Sequence, residues 1–264
     1  MKDIAIITLH GMGEVKPKYF EELETNLSKK LGADWSRVSF QNIQYAPILQ
    51  TPQDELWLHM TTNPKNDLDF RKLRKFLLFG FGDAGTIGYS AHRNKAKYIE
   101  VQQEIEAKLS SAYQELGGCK PVIIIAQSLG GQVISNYLWD AEKNLNLFST
   151  PLTGSEDEQN FKRLTSCENL ITTGCNIPLF SAGLTERKSF SKPTPQFKWD
   201  NYYDADDVLG WPLRQLGIDY HELVEDHEVT VGNMLNAWHP YSHGEYWDDK
   251  DVINPIVDAI KSKL

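Results

Sequence analysis

Residues 123–132, IIIAQSLGGQ, join an apolar run to the start of an amphipathic helix. The join contains the polar pair Gln127-Ser128 and, one residue later, the pair Gly130-Gly131. Packing of a strand against a helix explains the apolar run and the helix, but it does not explain polar residues and glycines where the two meet. The segment therefore predicts a buried strand that turns sharply into a helix around Ser128.

Short apolar runs alternate with longer helical patterns along the rest of the chain. Over residues 95–116 apolar side chains recur at every third or fourth position, and Gly117-Gly118 follows as a stop signal. Strands are predicted at residues 4–9, 38–45, 122–125, 170–173, 197–203 and 228–231, further helices at 132–139 and 252–260, and surface loops at 154–160 and 185–196. The alternation predicts a single α/β domain over residues 1–264, with a mostly parallel sheet and helices on both faces.

The composition argues against several classes of protein. Lys and Arg number 27 and Asp and Glu number 36, so the net charge is 27 − 36 = −9 and no nucleic-acid surface is expected. The three cysteines, at positions 119, 167 and 175, lack a CxxC spacing and are expected to be free thiols. The six-residue apolar run near the N-terminus is too short for a signal-peptide core, and no segment has the length of a membrane span. We therefore expect a cytoplasmic protein.

Ser128 is the first candidate for chemistry. A serine flanked by the small residues Ala126 and Gly130 can be raised on a strained turn, because the strand and helix backbones pass close beneath it. A simple helix N-cap is the alternative interpretation. The segment resembles the nucleophile elbow of α/β-hydrolases, G-x-S-x-G, with Ala126 in place of the first glycine. The resemblance implies that Ser128 is a nucleophile and that the backbone N–H of Leu129 binds an oxyanion.

The first predicted strand ends in His10-Gly11-Met12-Gly13. This sequence resembles the HG loop of lipases and esterases, which implies that the backbone N–H of Met12 is the second oxyanion donor. Two roles are open for the imidazole of His10. The ring can brace the loop through hydrogen bonds, which we favour over proton transfer, or it can contact the substrate.

Three aspartates follow the strand predicted at 197–203, namely Asp204, Asp206 and Asp207. A polar turn is one interpretation of all three. The segment also resembles the D-x-x-D-P-V pattern that closes the equivalent strand in many lipases, with Val208 in place of the proline. The resemblance implies that Asp207 is the triad acid, that Asp204 forms the turn and that Asp206 is the next candidate for the acid.

Two histidines, His239 and His243, stand four residues apart in AWHPYSHGEYW. That spacing suits a metal pair on a helix, but Pro240 and Gly244 disrupt helical register and no HExxH motif accompanies them. Residues 242–247, SHGEYW, are similar to the catalytic-histidine loop of lipase-like hydrolases. The similarity implies that His243 is the general base and that His239 is a packing or substrate-facing residue. Neither a metal nor another cofactor is predicted.

Residues 46–94 are rich in aromatic and apolar side chains. They either pack on the core as ordinary helices or form a cap over Ser128 that lines an acyl pocket, in which Phe79 and Phe81 contact the substrate. Glycines at positions 80, 82, 85 and 88 favour a segment that changes shape or approaches another part of the chain closely. Peripheral contact with a membrane is left open.

The run before Ser128 loosely resembles intracellular phospholipases of the DDHD type, through an apolar segment, Gly82-Asp83, Tyr89 and a long helix. Residues 171–180, ITTGCNIPLF, resemble the T-x-G-x-P strand end of lipases. Gln127 stands where these proteins usually have histidine, and the antiparallel strands that usually precede the HG strand are not expected. Together these resemblances imply an α/β-hydrolase fold.

The predicted activity is hydrolysis of a carboxylic ester or thioester, of a lipid or another acyl compound, by a Ser-Asp-His triad. A non-catalytic protein of the same fold that binds a ligand or partner is the second interpretation. A metal-dependent hydrolase that uses His239, His243 and nearby acids is the third.

Overall fold

The computed structural model describes residues 1–13, 15–62, 68–87, 95–231 and 242–264. Within these ranges six strands form one sheet in the order β2-β1-β3-β4-β5-β6, and all neighbouring strands are parallel. The strands are β1 (Ile4–Leu9), β2 (Val38–Ile43), β3 (Val122–Gln127), β4 (Cys167–Thr173), β5 (Lys198–Asp204) and β6 (Val224–Val229). The α-helices are α1 (Glu21–Leu31), α2 (Ala46–Thr62), α3 (Arg71–Ile87), α4 (Lys95–Leu116), α5 (Leu129–Lys143), α6 (Glu156–Lys162), α7 (Ile177–Ser181), α8 (Ile218–Leu223) and α9 (Lys250–Lys261).

Both faces of the sheet are covered, which explains why its inner strands are continuous apolar runs. All six residues of β1 are buried. Ile4 and Ile6 pack in a cluster with α1 and α9, whereas Ile7 and Leu9 point to the opposite face and pack with α2 to α5. The predicted α/β class, with a parallel sheet between two layers of helices, is confirmed.

α9 packs on one face of the sheet, and a short helix directly before it packs on the same face. Asp249 caps α9 by accepting a hydrogen bond from the backbone N–H of Asp251. The apolar residues of α9 are spaced three or four apart and are buried against the sheet. The 3₁₀ helix Ser242–Trp247 lies directly before α9, and its last two residues, Tyr246 and Trp247, are buried in the same cluster.

Two segments differ from the sequence prediction. The last strand is Val224–Val229 rather than 228–231, because it lies at the sheet edge with partly exposed side chains and has no apolar pattern. Helix α6 occupies part of the loop predicted at 154–160. Ser155 caps α6 by accepting from the N–H of Glu158, and Phe161 is buried, but seven residues are too few to show helical periodicity.

The described part of residues 46–94 contains α2 and α3, which pack against each other, whereas Gly88 and Tyr89 lie outside the described residues. Leu49 of α2 and Ala84 of α3 join the buried cluster on that face of the sheet. No helix within the described ranges combines the length and the hydrophobicity that crossing a lipid bilayer requires.

Candidate active site

Ser128 lies between the last residue of β3 and the first residue of α5. Its backbone angles are φ 51° and ψ −120°, a conformation that residues with a side chain rarely adopt. Its N–H donates to the carbonyl of Thr173 at the end of β4, with an N···O distance of 2.9 Å. Its Oγ caps no backbone N–H of α5 among the described residues, so the N-cap interpretation does not account for this serine. The strained strand-to-helix turn is the geometry of a nucleophile elbow.

The glycines around Ser128 are required by close contacts. A Cβ atom at Gly11 would lie 2.9 Å from the Cβ of Ser128, so the HG loop touches the serine directly. A Cβ atom at Gly130 would lie 2.6 Å from the carbonyl oxygen of His10, closer than real Cβ contacts allow. The loop and the elbow therefore pack backbone against backbone, and this contact fixes their relative position.

The imidazole of His10 is buried and engaged within the protein. Its Nε2 accepts from the N–H of Ala46 at 3.2 Å, which leaves Nδ1 as the protonated nitrogen that donates to the carbonyl of Gly11 at 2.8 Å. The ring stacks on Tyr45 with 3.8 Å between centroids. Burial lowers the pKa of His10 to about 4, so the ring is neutral near pH 7. These contacts agree with a bracing role, and contact between His10 and substrate stays a prediction.

The two residues predicted to bind the oxyanion lie on either side of Ser128. Leu129 is the first residue of α5, so its N–H has no acceptor within the helix and lies at the positive end of the helix dipole. Met12 lies on the HG loop, and its thioether sulfur accepts from Asn176 Nδ2 at 3.3 Å. On the other side its methyl group packs against α3, where a Cβ atom at Gly80 would lie 2.7 Å away. The oxyanion role of both residues stays a prediction.

Asn176 is a candidate functional residue to which sequence analysis gave no role. It follows β4 and is fully buried, and its Nδ2 donates to Ser128 Oγ at 3.1 Å. Within the described part of the chain, its Oδ1 has no hydrogen-bond partner. A buried amide usually has both ends satisfied. The signal in the sequence was a polar residue at the carboxyl end of a parallel strand, inside the T-x-G-x-P resemblance.

The carboxylate of Asp207 is buried just beyond β5. Its Oδ1 accepts from the N–H of Leu209 at 3.0 Å, and its Oδ2 accepts from the hydroxyl of Tyr246 at 2.9 Å. A Cβ atom at Gly210 would lie 2.7 Å from Oδ2, so the turn has no room for a side chain there. Donors on both oxygens favour the ionised carboxylate that a triad acid requires.

The other two aspartates of the turn differ from Asp207 in their surroundings. Asp204 is buried, and both of its oxygens accept from backbone N–H groups, those of Asp206 at 2.8 Å and Val231 at 2.6 Å. It therefore shapes the turn, the role that the resemblance implied, and its contact with Val231 also fixes the chain after β6. The side chain of Asp206 is exposed.

Tyr246 connects the acid to the segment that carries the predicted base. Its hydroxyl donates to Asp207 and accepts from the N–H of Asp204, with a donor–acceptor distance of 2.9 Å in each case. Burial and the charge of Asp207 raise the pKa of this phenol, which therefore stays protonated. His243 belongs to the same 3₁₀ helix, but its side chain, and the whole of His239, lie outside the described residues.

The candidate residues lie along one edge of the sheet. The HG loop follows β1, the serine follows β3, the aspartate follows β5, and the helix with the predicted base comes after β6. A parallel sheet with a strand-to-helix turn at the serine after β3, and with the HG loop against that turn, is the arrangement of one known architecture. The fold is that of the α/β-hydrolases.

No protein-family model matches the chain, and no curated protein matches its sequence. Among solved structures, the chain is similar to an α/β-superfamily hydrolase from Xanthomonas campestris pv. campestris, with 11% identity, 99% of each chain covered and a TM-score of 0.46. It is also similar to an acetylxylan esterase, with 12% identity, 100% of this chain and 99% of the esterase covered, and a TM-score of 0.40. A third similar structure is a soluble variant of monoglyceride lipase from Saccharomyces cerevisiae, with 12% identity, 99% of this chain and 85% of the lipase covered, and a TM-score of 0.45. Similarity at this level does not identify a substrate.

Asp83 joins the α2–α3 pair to the HG loop. Its carboxylate is buried on α3 and accepts from Gln53 Nε2 at 2.8 Å, Gln50 Nε2 at 3.0 Å and the N–H of Gly13 at 3.4 Å. Burial raises its pKa to about 6, although the three donors act in the opposite direction. The resemblance had drawn attention to Gly82-Asp83 without a role, and the contacts show that Asp83 supports the loop.

Phe79 and Phe81, both predicted to contact substrate, lie on different faces of α3. Phe79 is 1% exposed, with the Lys75 ammonium 5.1 Å from its ring centroid, whereas Phe81 is 60% exposed. The structure therefore does not bring the two rings together around one pocket. Gly80 lies against Met12, as described above, and a Cβ atom at Gly82 would lie 2.9 Å from Gln53 Nε2. Both glycines allow close approach within the folded protein.

One group of possible metal ligands occurs among the described residues. Side-chain atoms of Asp200, Glu225 and His227 lie within 4.8 Å of one another, and His227 Nε2 pairs with Asp200 Oδ1 at 2.8 Å. These residues belong to β5 and β6 themselves rather than to the loops at the carboxyl edge. Partly exposed acidic groups of this kind are common without an ion, so the group gives no support to a metal-dependent hydrolase.

Proposed function

We propose that the protein is a serine hydrolase that cleaves a carboxylic ester or thioester through an acyl-enzyme on Ser128. The observation that carries the proposal is the strained backbone of Ser128, with the buried Asn176 amide donating to its Oγ. Such a conformation at a non-glycine residue costs about 1–3 kcal/mol and is typical of functional sites. A serine that only filled space would gain nothing from it.

In the proposed reaction Ser128 Oγ attacks the acyl carbon while His243 accepts its proton. The carbonyl π electrons move to oxygen, and the backbone N–H groups of Met12 and Leu129 bind the resulting oxyanion. The oxyanion then collapses, the bond to the leaving alcohol or thiol breaks, and His243 returns the proton to that group. Water attacks the acyl-enzyme by the same steps and releases the acid and free Ser128.

Asp207 has the role of orienting His243 and stabilising its charged form. Support comes from its burial, from donors on both of its oxygens and from the Tyr246 contact that ties it to the helix of His243. Asp206 is the weaker candidate, because its exposed carboxylate would be solvated and poorly oriented.

For the substrate we propose a medium or long acyl chain, carried by a lipid-like compound. The apolar residues of α2 and α3 beside the HG loop support this class. Each methylene buried against an apolar wall adds up to about 0.8 kcal/mol. We expect activity to rise from acetate to longer esters in a series of nitrophenyl esters and matched thioesters.

The decisive experiment is reaction with a fluorophosphonate probe, followed by identification of the labelled peptide. The wild-type protein should be labelled at Ser128, and Ser128→Ala should lose both labelling and turnover. Ser135→Ala is a matched control, since Ser135 is a second buried serine of the same strand–helix unit. Labelling that persists in Ser128→Ala would exclude this nucleophile, and an unlabelled wild-type protein would favour the non-catalytic interpretation.

A further inference from the structure

Exposed large apolar side chains are concentrated on α2, α3 and the residue just before α3. Seven of them, between 40% and 78% exposed, are Leu56, Leu58, Met60, Phe70, Leu73, Leu77 and Phe81. These residues are called the hairpin face below. Elsewhere in the described chain, seven such residues are spread from Met1 to Ile218. Exposed apolar side chains grouped on one pair of helices often mark an interaction site.

The hairpin face includes a regular stripe along α3. Leu73, Leu77 and Phe81 recur at every fourth residue and therefore lie on one side of the helix. The buried residues Phe79 and Asp83 lie on the other side, toward the protein. Since α3 already packs through that inner side, its folding does not explain large apolar side chains on the outer one.

Positive charge accompanies the stripe. Arg71, Lys72, Arg74 and Lys75 fall within the first five residues of α3, in a chain whose net charge is −9. Cations near a helix N-terminus oppose the helix dipole, so they weaken α3 rather than stabilise it. Lys75 lies over the ring of Phe79, and Arg74 Nε donates to the carbonyl of Asp69 at 2.8 Å, whereas an external anion offers an explanation for Arg71 and Lys72. Lys and Arg beside exposed Leu and Phe are the combination that binds anionic lipid surfaces.

We propose that the hairpin face, together with Arg71 and Lys72, docks the protein on an anionic phospholipid surface. The docked helix is the one whose inner side touches the HG loop, through Gly80 against Met12 and through Asp83 on the N–H of Gly13. An α-helix is about 10 Å wide, so the lipid would lie roughly one helix diameter from the oxyanion loop. Delivery of an acyl chain from that surface to Ser128 rests on the proposed function, whereas the docking does not.

The test is flotation of the full-length Ser128→Ala protein with phospholipid vesicles, because that variant leaves the lipid intact. We expect binding to vesicles of phosphatidylcholine mixed with phosphatidylserine, and weak binding to phosphatidylcholine alone. Added salt should reduce the binding, because the Debye length shortens to about 3 Å at 1 M. Arg71→Gln with Lys72→Gln should lower the partition coefficient at least about tenfold, since each charge near an anionic surface contributes a factor of about five.

Matched controls separate this surface from the rest of the protein. Leu73→Ser with Leu77→Ser should abolish vesicle binding, whereas Leu184→Ser with Ile218→Ser, at exposed apolar sites elsewhere, should not. Lys250→Gln with Lys261→Gln, at exposed lysines of α9, should likewise retain it. Equal binding by the stripe variant, or no binding to either vesicle, would overturn the proposal. So would a wild-type dimer that the stripe variant converts to monomer, because a second copy would then cover the face.

Failure of the docking proposal and failure of the proposed function give different results. Fluorophosphonate labelling and hydrolysis of a dissolved short ester depend on Ser128 and need no membrane. Vesicle binding is measured in a variant without the serine hydroxyl and needs no catalysis.

Discussion

The hydroxyl of Tyr246 donates to Asp207 Oδ2 over 2.9 Å, and the hydroxyl oxygen of Tyr246 accepts from the N–H of Asp204. One side chain thus holds both the proposed triad acid and the backbone of the strand that carries it. Since Tyr246 lies in the 3₁₀ helix that includes His243, the position of the proposed base depends on this contact as well.

Tyr246→Phe should reduce both stability and catalysis. Loss of a buried hydrogen bond that leaves its partner short of a donor typically costs about 1–3 kcal/mol of unfolding free energy. We also expect kcat to fall by roughly tenfold or more, because small misplacements of catalytic groups have large effects. Urea unfolding and ester hydrolysis measure the two effects.

The control for that variant is Tyr137→Phe. Tyr137 is also buried, and its hydroxyl donates to the carbonyl of Lys162 at 2.8 Å, on the other face of the sheet. It should lose a similar amount of stability while kcat stays unchanged. Equal kinetic losses in the two variants would mean that Tyr246 acts only through general stability.

Substitution of each of the three aspartates of the turn should have a different effect on kcat and stability. Asp207→Asn should lower kcat by about 10⁴, as in the best-studied triad, with the fold intact. Asp204→Asn should instead lower stability by about 1–3 kcal/mol, because its two oxygens both accept backbone N–H groups. Asp206→Asn, at an exposed site, should change stability by less than about 0.5 kcal/mol and leave kcat unchanged. A large loss of kcat in Asp206→Asn would instead assign the role of triad acid to Asp206.

Asn176→Ala should lower kcat more than it lowers stability. Its side-chain amide donates to Ser128 Oγ, and removal of a donor that acts on developing charge costs up to about 10²–10³-fold in kcat. Asn201→Ala is the control, since Asn201 is equally buried but donates to the Trp211 carbonyl and to Asp226. That variant should lower the melting temperature without a comparable change in kcat. The reverse pattern would make Asn176 a purely structural residue.

Asp83 and His10, two buried groups beside the HG loop, should change the free energy of unfolding with pH in opposite directions. Burial raises the pKa of Asp83 to about 6, so its contribution to stability is complete below pH 4 and is lost as the pH rises through 6. Burial lowers the pKa of His10 to about 4, so its contribution is complete above pH 6.5 and is lost as the pH falls through 4. Each change amounts to about 3 kcal/mol at 1.36 kcal/mol per pH unit.

Urea unfolding of Asp83→Asn and His10→Gln at pH 4 and pH 7 measures these slopes. Between pH 4 and pH 7, Asp83→Asn should gain about 3 kcal/mol relative to the wild-type protein, and His10→Gln should lose about as much. The comparison rests on slopes, because each substitution also changes hydrogen bonds at every pH. Slopes of the same sign would contradict the assigned charge states.

Single substitutions at Phe79 and Phe81 should differ in their effects on stability. Phe79→Ala should cost about 3–5 kcal/mol of stability, because the ring is buried, whereas Phe81→Ala should cost less than about 0.5 kcal/mol. With dissolved esters Phe81→Ala should keep the wild-type preference for acyl length. Loss of that preference in Phe81→Ala would show that the Phe81 ring contacts the acyl chain after all.

The parts of the structure that the sequence predicted well are those with a strong local signal. Helix α4 has the predicted bounds, because its apolar positions repeat over six turns, and β1 is a continuous apolar run. The predicted bounds of β6 were wrong because an edge strand buries few side chains and so has no clear apolar pattern. At the site, the elbow around Ser128 was readable because the small residues are a local requirement of the turn.

The supporting contacts of the site were not readable in the same way. Asn176 lies 48 residues from Ser128, Tyr246 lies 39 residues from Asp207, and Asp83 lies 70 residues from Gly13. These pairs meet only in the folded protein, where loops at one edge of the sheet, helix α3 and the 3₁₀ helix before α9 come together. A single sequence contains no signal for which polar residue of one loop meets which residue of another.

The hydrogen bond between Tyr246 and Asp207 is also one of the last contacts that a newly made chain can form, because Tyr246 follows all the described strands. The elbow around Ser128 forms from segments that leave the ribosome early, whereas Tyr246 and α9 are synthesised after all six strands. Until they dock, the serine stands without a fixed acid and without its proposed base. Under the proposed function, an unfinished chain cannot attack acyl compounds in its surroundings, and hydrolysis begins only when Tyr246 and α9 have docked.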